Sequence, residues 1–381
     1  MNSRERMSEA MRLETTDRVP LMCPPSWGFV LLQNPRTDPV DLWHNHNKCY
    51  PETFCNISKR FHFDGVKIPG VGLAPLDWEK VKTIDKKQYE GTVVNFNNGD
   101  SCTYHRDELP SYRYQSDPEA DINKFNVDSI PEKLTYHPVS TRLRMYLQDA
   151  PADRVTEIRQ ARHIMGPSVS IHSQAYSPED YLLDLFGVEV AMLAMITHQD
   201  KCKEILIRFA EAIAGHVQEQ IDAGVDALCV SAPYSGQNFI SGEMYEEIIA
   251  PAQKIIVDVC KTNQVPCYCH TCGSIDDRLE LIIDVGFSGI ECLDPPPLGN
   301  VKLEDAVNRI GDRAFIKGNI DPINVLLNGS LDQVRDDVRH RLEIGMNARG
   351  FILSTACTIA PYTPPENLDA LNEMVEKYGY F

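Results

Sequence analysis

The sequence predicts an α/β fold, a (β/α)8 TIM barrel formed by residues 1–381 as one domain, with a hairpin-containing insertion at about 85–146. Two observations carry this prediction. Apolar segments of strand length recur roughly eight times, and amphipathic helical stretches separate most of them, as a closed barrel of that type requires. A third observation fixes the insertion: there the pattern changes to short alternating strands and a polar, proline-spotted tail.

The strand candidates, in chain order, are Arg18–Met22, Asp64–Ile68, Ser168–Ser173, Asp226–Ser231, Val265–His270, Ser288–Leu293, Ala314–Gly318 and Gly350–Thr355. Helices fall between them. "SPEDYLLDLFGVEVAMLAMITHQ" has Ser177 as N-cap and Pro178 at the first helical position. "SGEMYEEIIAPAQKIIVDVCK" starts at Ser241, and "SLDQVRDDVRHRLEIG" stops at Gly345. Within the insertion, "NNGD" in "YEGTVVNFNNGDSCTYHR" marks a hairpin turn. Its tyrosines Tyr89, Tyr104, Tyr112 and Tyr114 are candidates for a lid over the barrel mouth, or for an ordinary surface appendage.

Composition narrows the class. A 43% hydrophobic and 24% charged chain has the mix of a globular protein with a sizeable core. No run of about 18 apolar residues suggests a membrane span, and the charged opening "MNSRERMSEAMRLETTDRVP" lacks a signal-peptide pattern, so a cytoplasmic location is expected. A net charge of −18 argues against sequence-independent binding of nucleic acid, which rests on Lys and Arg. The twelve cysteines are expected to be reduced, buried or metal-bound. Cys23, Cys49, Cys55, Cys102, Cys202, Cys229 and Cys260 stand singly and read as small hydrophobes.

Chemistry concentrates in "VPCYCHTCGSIDD", from Val265 to Asp277. His270 and Cys272 flank one residue at the carboxyl end of a strand, the end where such barrels gather their active sites. Extended chain points both the same way. Cys357 and Glu291 sit at the ends of two later strands. One imidazole, two thiolates and one carboxylate suit zinc. A dication with Cys272 and Cys357 as thiolates and neutral His270 sums to about zero, so Glu291 is the ligand expected to yield to substrate, and hence the candidate catalytic residue. Spacing alone leaves a metal site, a redox pair and structural cysteines at comparable weight, because "CHTC" can also open a helix. Cys267, Cys269 and Cys292 default to packing, the last because it points away from Glu291.

"TTDRVP" (Thr15–Pro20), "VSAPYSGQNFISGEMYEEII" (Val230–Ile249), "KGNIDP" (Lys317–Pro322) and "STACTIAPYTPPENLDAL" (Ser354–Leu371) resemble the uroporphyrinogen decarboxylase superfamily, over nearly the whole chain outside the insertion. The resemblance implies a (β/α)8 barrel. It departs from the decarboxylases themselves: "CPPSWGFVLLQ" lacks their arginines, "KIPGVG" lacks their aspartate, and Cys357 stands where they carry histidine. It is similar to the superfamily's zinc- and cobalamin-dependent methyltransferases, whose His-x-Cys, later acid and distant Cys correspond to His270, Cys272, Glu291 and Cys357. That likeness puts the zinc reading ahead of the redox and packing readings.

Such a system moves a methyl group between a small substrate and a corrinoid (cobalamin) carried by a partner protein, and no corrinoid-binding domain is legible in this chain. The insertion tyrosines, with Trp27 and Phe29, incline the reading toward O-demethylation of a methoxylated compound. The alternative is methylation of a thiol of coenzyme M type; a decarboxylase, or a non-catalytic barrel that binds a tetrapyrrole, stands further back. Tyr234, Gln237, Asn319, Asp321, Trp27 and Tyr362 are candidate substrate-binding residues, although Asn319 and Asp321 serve equally as helix caps. His163 and His172 read as structural, and self-association into a homodimer is compatible with all of this.

Overall fold

The computed structural model describes residues 1–44, 46–68, 76–87, 91–115, 121–134 and 153–381. A curled parallel sheet runs through it in the order β1 (Gly65–Ile68), β6 (Ser170–Tyr176), β7 (Ala227–Ser231), β8 (Cys267–Thr271), β9 (Gly289–Cys292), β10 (Phe315–Ile320) and β11 (Phe351–Thr355). Chain order equals spatial order, because each helical crossover returns the chain beside the strand it left. All seven strands are buried, apart from the half-buried Tyr176 at the end of β6, as expected of a parallel sheet with helices on its outer face.

The eighth candidate, Arg18–Met22, is not a strand. Pro20 offers no N–H for a ladder, and what forms is an isolated bridge between Leu21 and Leu353. The segment still touches both sheet edges. Leu353 N–H donates to Pro20 O at 2.9 Å and Met22 N–H to Leu353 O at 3.0 Å, while Asp64 N–H donates to Leu21 O at 2.7 Å.

Inside the curl the side chains form layers. The floor is apolar: Met22, Ala227, Tyr268, Phe315 and Ile352 pack together, and Met7, Ala10 and Met11 of the helix Ser3–Met11 cover them from below. That helix starts with a capping box, Asn2 accepting from Glu5 N–H while Glu5 accepts from Asn2 N–H. His172 lies at the same depth, wholly buried, with Tyr268 Oη 3.0 Å from Nδ1 and Ser170 Oγ 3.1 Å from Nε2.

The long helix expected after Ser177 is divided. Gly187, at φ +79°, separates Pro178–Phe186 from Val188–Thr197. Ser177 precedes the first turn as expected, but its hydroxyl hydrogen-bonds to Glu179 rather than to a backbone amide. Ser241 does cap its helix, accepting from Met244 N–H at 3.1 Å. A π-turn at Tyr245–Ile249 then leads into Ala250–Thr262, whose second residue, Pro251, lacks the amide that an α-helical bond would need. Gly345 is the last helical residue of Leu331–Gly345 rather than a residue beyond it.

The inserted sheet is antiparallel: β2 (Val81–Lys87), β3 (Gly91–Phe96), β4 (Ser101–Tyr104) and β5 (Ser111–Arg113). Its β3–β4 turn falls on the "NNGD" stretch, and it begins before the expected boundary, at Val81. Tyr89, and the boundary at 146, lie outside the described residues. Among the described residues no helix is long and apolar enough to cross a membrane.

Burial, and then the nearby Lys317 ammonium, push the His172 imidazole down to about 3. Unfolded chain takes up a proton near pH 6.5 and the folded chain does not, so stability falls as pH drops from 6.5 toward 3, by on the order of a few kcal/mol from this residue. The stability gap between wild type and His172→Gln, measured in urea at pH 7 and pH 4.5, should shrink at the lower pH. A constant gap would show that His172 titrates normally.

Candidate metal centre

Parallel register sets His270 beside Glu291 and Glu291 beside Lys317 on neighbouring strands, so all three point into the curl. On β8 alternation keeps Tyr268 and His270 inside and sends Cys267 and Cys269 into the core beneath the helices. Glu291 is the hub. Its Oε2 accepts from Lys67 Nζ at 3.0 Å and faces His270 Nδ1 at 3.0 Å; its Oε1 accepts from Lys317 Nζ. The Cys229 thiol donates to Oε2 at 3.4 Å. Burial alone would raise the Glu291 carboxyl, but Lys317 and Lys67 override it and hold the group well below the usual carboxylate range. Burial likewise works against the Lys67 ammonium, and the facing Cys229 and Glu291 more than offset it.

Above this polar layer the soft donors meet. Among the described residues, one group of histidine, cysteine and acidic side chains could hold a metal ion: His270, Cys272, Cys292 and Cys357, whose ligand atoms all lie within 4.8 Å of one another. His270 Nε2 is 3.5 Å from Cys272 Sγ, and Cys272 Sγ is 3.7 Å from Cys357 Sγ. A tetrahedral ion about 2.3 Å from sulfur and about 2.0 Å from nitrogen separates two sulfurs by roughly 3.8 Å, and sulfur from nitrogen by roughly 3.5 Å. These two pairs already have that spacing and the remaining donors lie within 4.8 Å, so zinc fits with small adjustments. Hydrogen bonds from Cys272 and then Cys292 hold the Cys357 thiol well below its ordinary range against the effect of burial.

The expected set and the observed set share His270, Cys272 and Cys357, and differ in the fourth member. Glu291 is not among the clustered donors, because both its oxygens are engaged and it grips His270 from the far side, on Nδ1. An acid in that place fixes the imidazole's orientation and tautomer, which is how second-sphere carboxylates act on metal-bound histidine. Cys292 joins the cluster instead. Strand alternation would turn it outward, but its φ of 95°, followed by 54° at Leu293, bends the chain and brings its sulfur round. No sequence pattern announces that bend. Lys67 and Lys317, also unremarked in the sequence, do leave a signal: each is one ammonium inside an otherwise uncharged strand, "GVKI" and "FIKGNI".

Beside the donors lies a cavity of about 550 Å³, bounded by His270, Lys67, Gln174, Tyr176 and Ser231 on the side of the parallel sheet. Trp27 and Phe54 form its apolar wall, and Asp107, Glu108 and Leu109 of the insertion complete it. The insertion can approach because residue 28 is glycine: a Cβ there would stand 2.7 Å from Asp107 Cα. Tyr362, mostly exposed, donates to Asp107 Oδ2 at 2.6 Å across the rim. Of the insertion tyrosines, Tyr104 is buried against His44 and Tyr112 packs on Tyr114, so they do not face the cavity.

The remaining candidates are not among the clustered donors. Tyr234 packs edge-on to Phe239, with ring centroids 5.2 Å apart. Gln237 accepts from Asn300 Nδ2 at 3.2 Å and builds a loop. Asp321 takes its capping role, accepting from Ile323 and Asn324 N–H, each at 2.8 Å. Asn319 is buried, donating to Leu293 O at 2.9 Å while Arg341 donates to its Oδ1.

Residues 147–378 match the family model described as uroporphyrinogen decarboxylase (URO-D). The chain is similar to the methylcobamide:CoM methyltransferase MtbA of Methanosarcina acetivorans, 29% identical over 197 residues, 52% of this chain and 52% of that one. It is also similar to the methylcobamide:CoM methyltransferase MtaA of Methanosarcina barkeri strain Fusaro, 29% identical over 222 residues, 58% of this chain and 62% of the other. The matches thus span about half to three fifths of these relatives' lengths. In overall shape it resembles a methyltransferase from Methanosarcina mazei, with a TM-score of 0.72, 20% identity and 99% of each chain covered.

Cys357→Ala should lose stoichiometric zinc while far-UV circular dichroism stays that of the wild type; full metal content would remove Cys357 from the ligand set. Glu291→Gln should weaken zinc affinity about 10–100-fold by loosening His270. Competition with a chromophoric chelator measures this, and wild-type affinity would show that Glu291 does not orient the imidazole.

Proposed function

The chain belongs to the uroporphyrinogen decarboxylase family, and within it we propose a zinc-dependent methyltransferase that delivers a methyl group from the corrinoid of a partner protein to a small thiol. One observation carries this reading. Three thiols and an imidazole converge above a layer in which two lysines surround a single carboxylate, leaving one surplus positive charge. With a dication held by Cys272 and Cys357 as thiolates and Cys292 as a neutral thiol, the centre as a whole stays at about +1. An incoming thiolate neutralises it, whereas an ether oxygen brings no charge.

A zinc ion bound there would supply the Lewis acidity that lowers a thiol's pKa and leaves a thiolate at neutral pH. The chain's own residues set the stage for that. Glu291 holds His270 by Nδ1 so that Nε2 stays aimed at the sulfurs. Lys67 and Lys317 keep Glu291 ionised in a buried site. Trp27 and Phe54 offer an apolar wall for the carbon chain of a substrate, and the Asp107–Leu109 segment limits access of water. The corrinoid approaches from the open face of the curl, its hard chemistry being its own. The barrel reading belongs here as well: Pro20–Met22, bonded to both sheet edges, takes the place of an eighth stave.

The names of the relatives support the thiol reading over O-demethylation, and none of Tyr104, Tyr112 and Tyr114 lines the cavity to favour an aromatic substrate. Decarboxylation of a polycarboxylate lacks support, because no arginine is among the described residues that line the cavity.

The test mixes zinc-loaded protein with methylcobalamin and 2-mercaptoethanesulfonate, or with cob(I)alamin and a methoxyarene, and follows cobalt by absorbance. Turnover of the thiol arm alone is expected. Demethylation of the methoxyarene with a silent thiol arm would overturn the reading.

A further inference from the structure

A donor set of one histidine and three cysteines is the composition of a closed, structural zinc site, whereas a catalytic site keeps a position that substrate can take. Both demands are met if one of the four donors can leave. The four are not held alike. His270 is anchored from behind by Glu291 at 3.0 Å. Cys272 follows directly on β8 and Cys357 lies two residues beyond β11, neither of them at a positive φ. Cys292 is different: it and Leu293 are consecutive non-glycine residues at φ 95° and 54°. Such a conformation is strained for a residue with a side chain and persists only where its surroundings enforce it.

Those surroundings are visible. Asn319 donates to Leu293 O at 2.9 Å, and Arg341 in turn donates to Asn319 Oδ1, clamping the bend from β10 and the helix Leu331–Gly345. One residue further, Asp294 Oδ2 accepts from Gly273 N–H at 2.6 Å, tying the bend to the residue after Cys272. Cys292 itself is fully buried. Relaxing toward ordinary strand geometry would turn its sulfur out of the cluster and release strain, so it is the donor that leaves at least cost.

We propose that Cys292 is the fourth metal ligand of the resting protein and holds the position that the thiol substrate takes over. The charge balance favours it. Three thiolates on a dication give −1, Glu291 with Lys67 and Lys317 gives +1, and the whole is neutral before and after the exchange. In the exchange a metal–sulfur bond to Cys292 breaks and one to the incoming sulfur forms, and the proton lost by the incoming thiol ends on Cys292 Sγ. The second half of this proposal rests on the thiol-methylation reading; the first does not.

X-ray absorption at the zinc edge of the zinc-loaded full chain tests both, using 2-hydroxyethaneselenol as a probe whose selenium is distinguishable from protein sulfur. The expected shells are three sulfurs and one nitrogen for the wild type, and two sulfurs and one nitrogen for Cys292→Ala. Adding the selenol should bring both proteins to two sulfurs, one selenium and one nitrogen, and Cys292→Ala should bind it more tightly. Cys292→Gly, which a positive φ tolerates, replaces the alanine variant if that folds poorly. Two sulfurs in the resting wild type, or three sulfurs kept beside a bound selenium, would overturn the proposal. Selenium absent from both proteins would overturn the thiol reading and the exchange together, and the resting sulfur count would then decide the ligand role of Cys292 alone.

Discussion

A carboxylate with no access to water sits at the centre of this molecule. Glu291 is ionised only because Lys317, Lys67 and His270 surround it, and each of the four comes from a different strand. Removing a charge from water costs several kcal/mol per ion after relaxation, and close, complete pairing must offset it. That pairing requires β1, β8, β9 and β10 in register, since a slip of one residue would turn each side chain to the opposite face. The same contacts that tolerate the buried charge therefore fix where His270 points.

The layers follow from this constraint. Below the charged tier the curl is filled by apolar side chains and closed by the first helix, so no water reaches the ions from that side. Above it the sulfurs gather at strand ends, where the chain leaves the sheet and side chains are free to converge. A cation held there sees fixed dipoles and charges on one side and a cavity on the other. Electrostatic interactions are stronger in such a place than in bulk solvent.

Much of this was legible in the sequence, and the exceptions have physical causes. Alternation of apolar runs with helical segments located the seven strands that form, because a parallel strand buried on both faces is continuously apolar. It also suggested a strand at Arg18–Met22, where Pro20 limits pairing to an isolated bridge. His270, Cys272 and Cys357 could be named from strand ends, since alternation predicts direction as long as the chain stays extended. The same rule failed at Cys292, where two left-handed residues break the alternation in a way that composition does not encode. Glu291 stands at a strand end beside His270 as expected, but its oxygens face His270 and two lysines rather than the sulfurs. Its two lysines are distant in the chain, and only the register shows that they occupy both its oxygens.

The seam between Gly28 and Asp107 separates two tasks. Everything that would grip an ion lies within residues 147–378, the stretch that matches the family, while the outer wall of the cavity is built from residues 24–28 and 107–109, upstream of it. A methyl group at residue 28 would act as a wedge against the Asp107 backbone, which has to give way for it. The clustered donors and the outer wall that faces them are thus drawn from separate portions of the polypeptide, joined at one glycine.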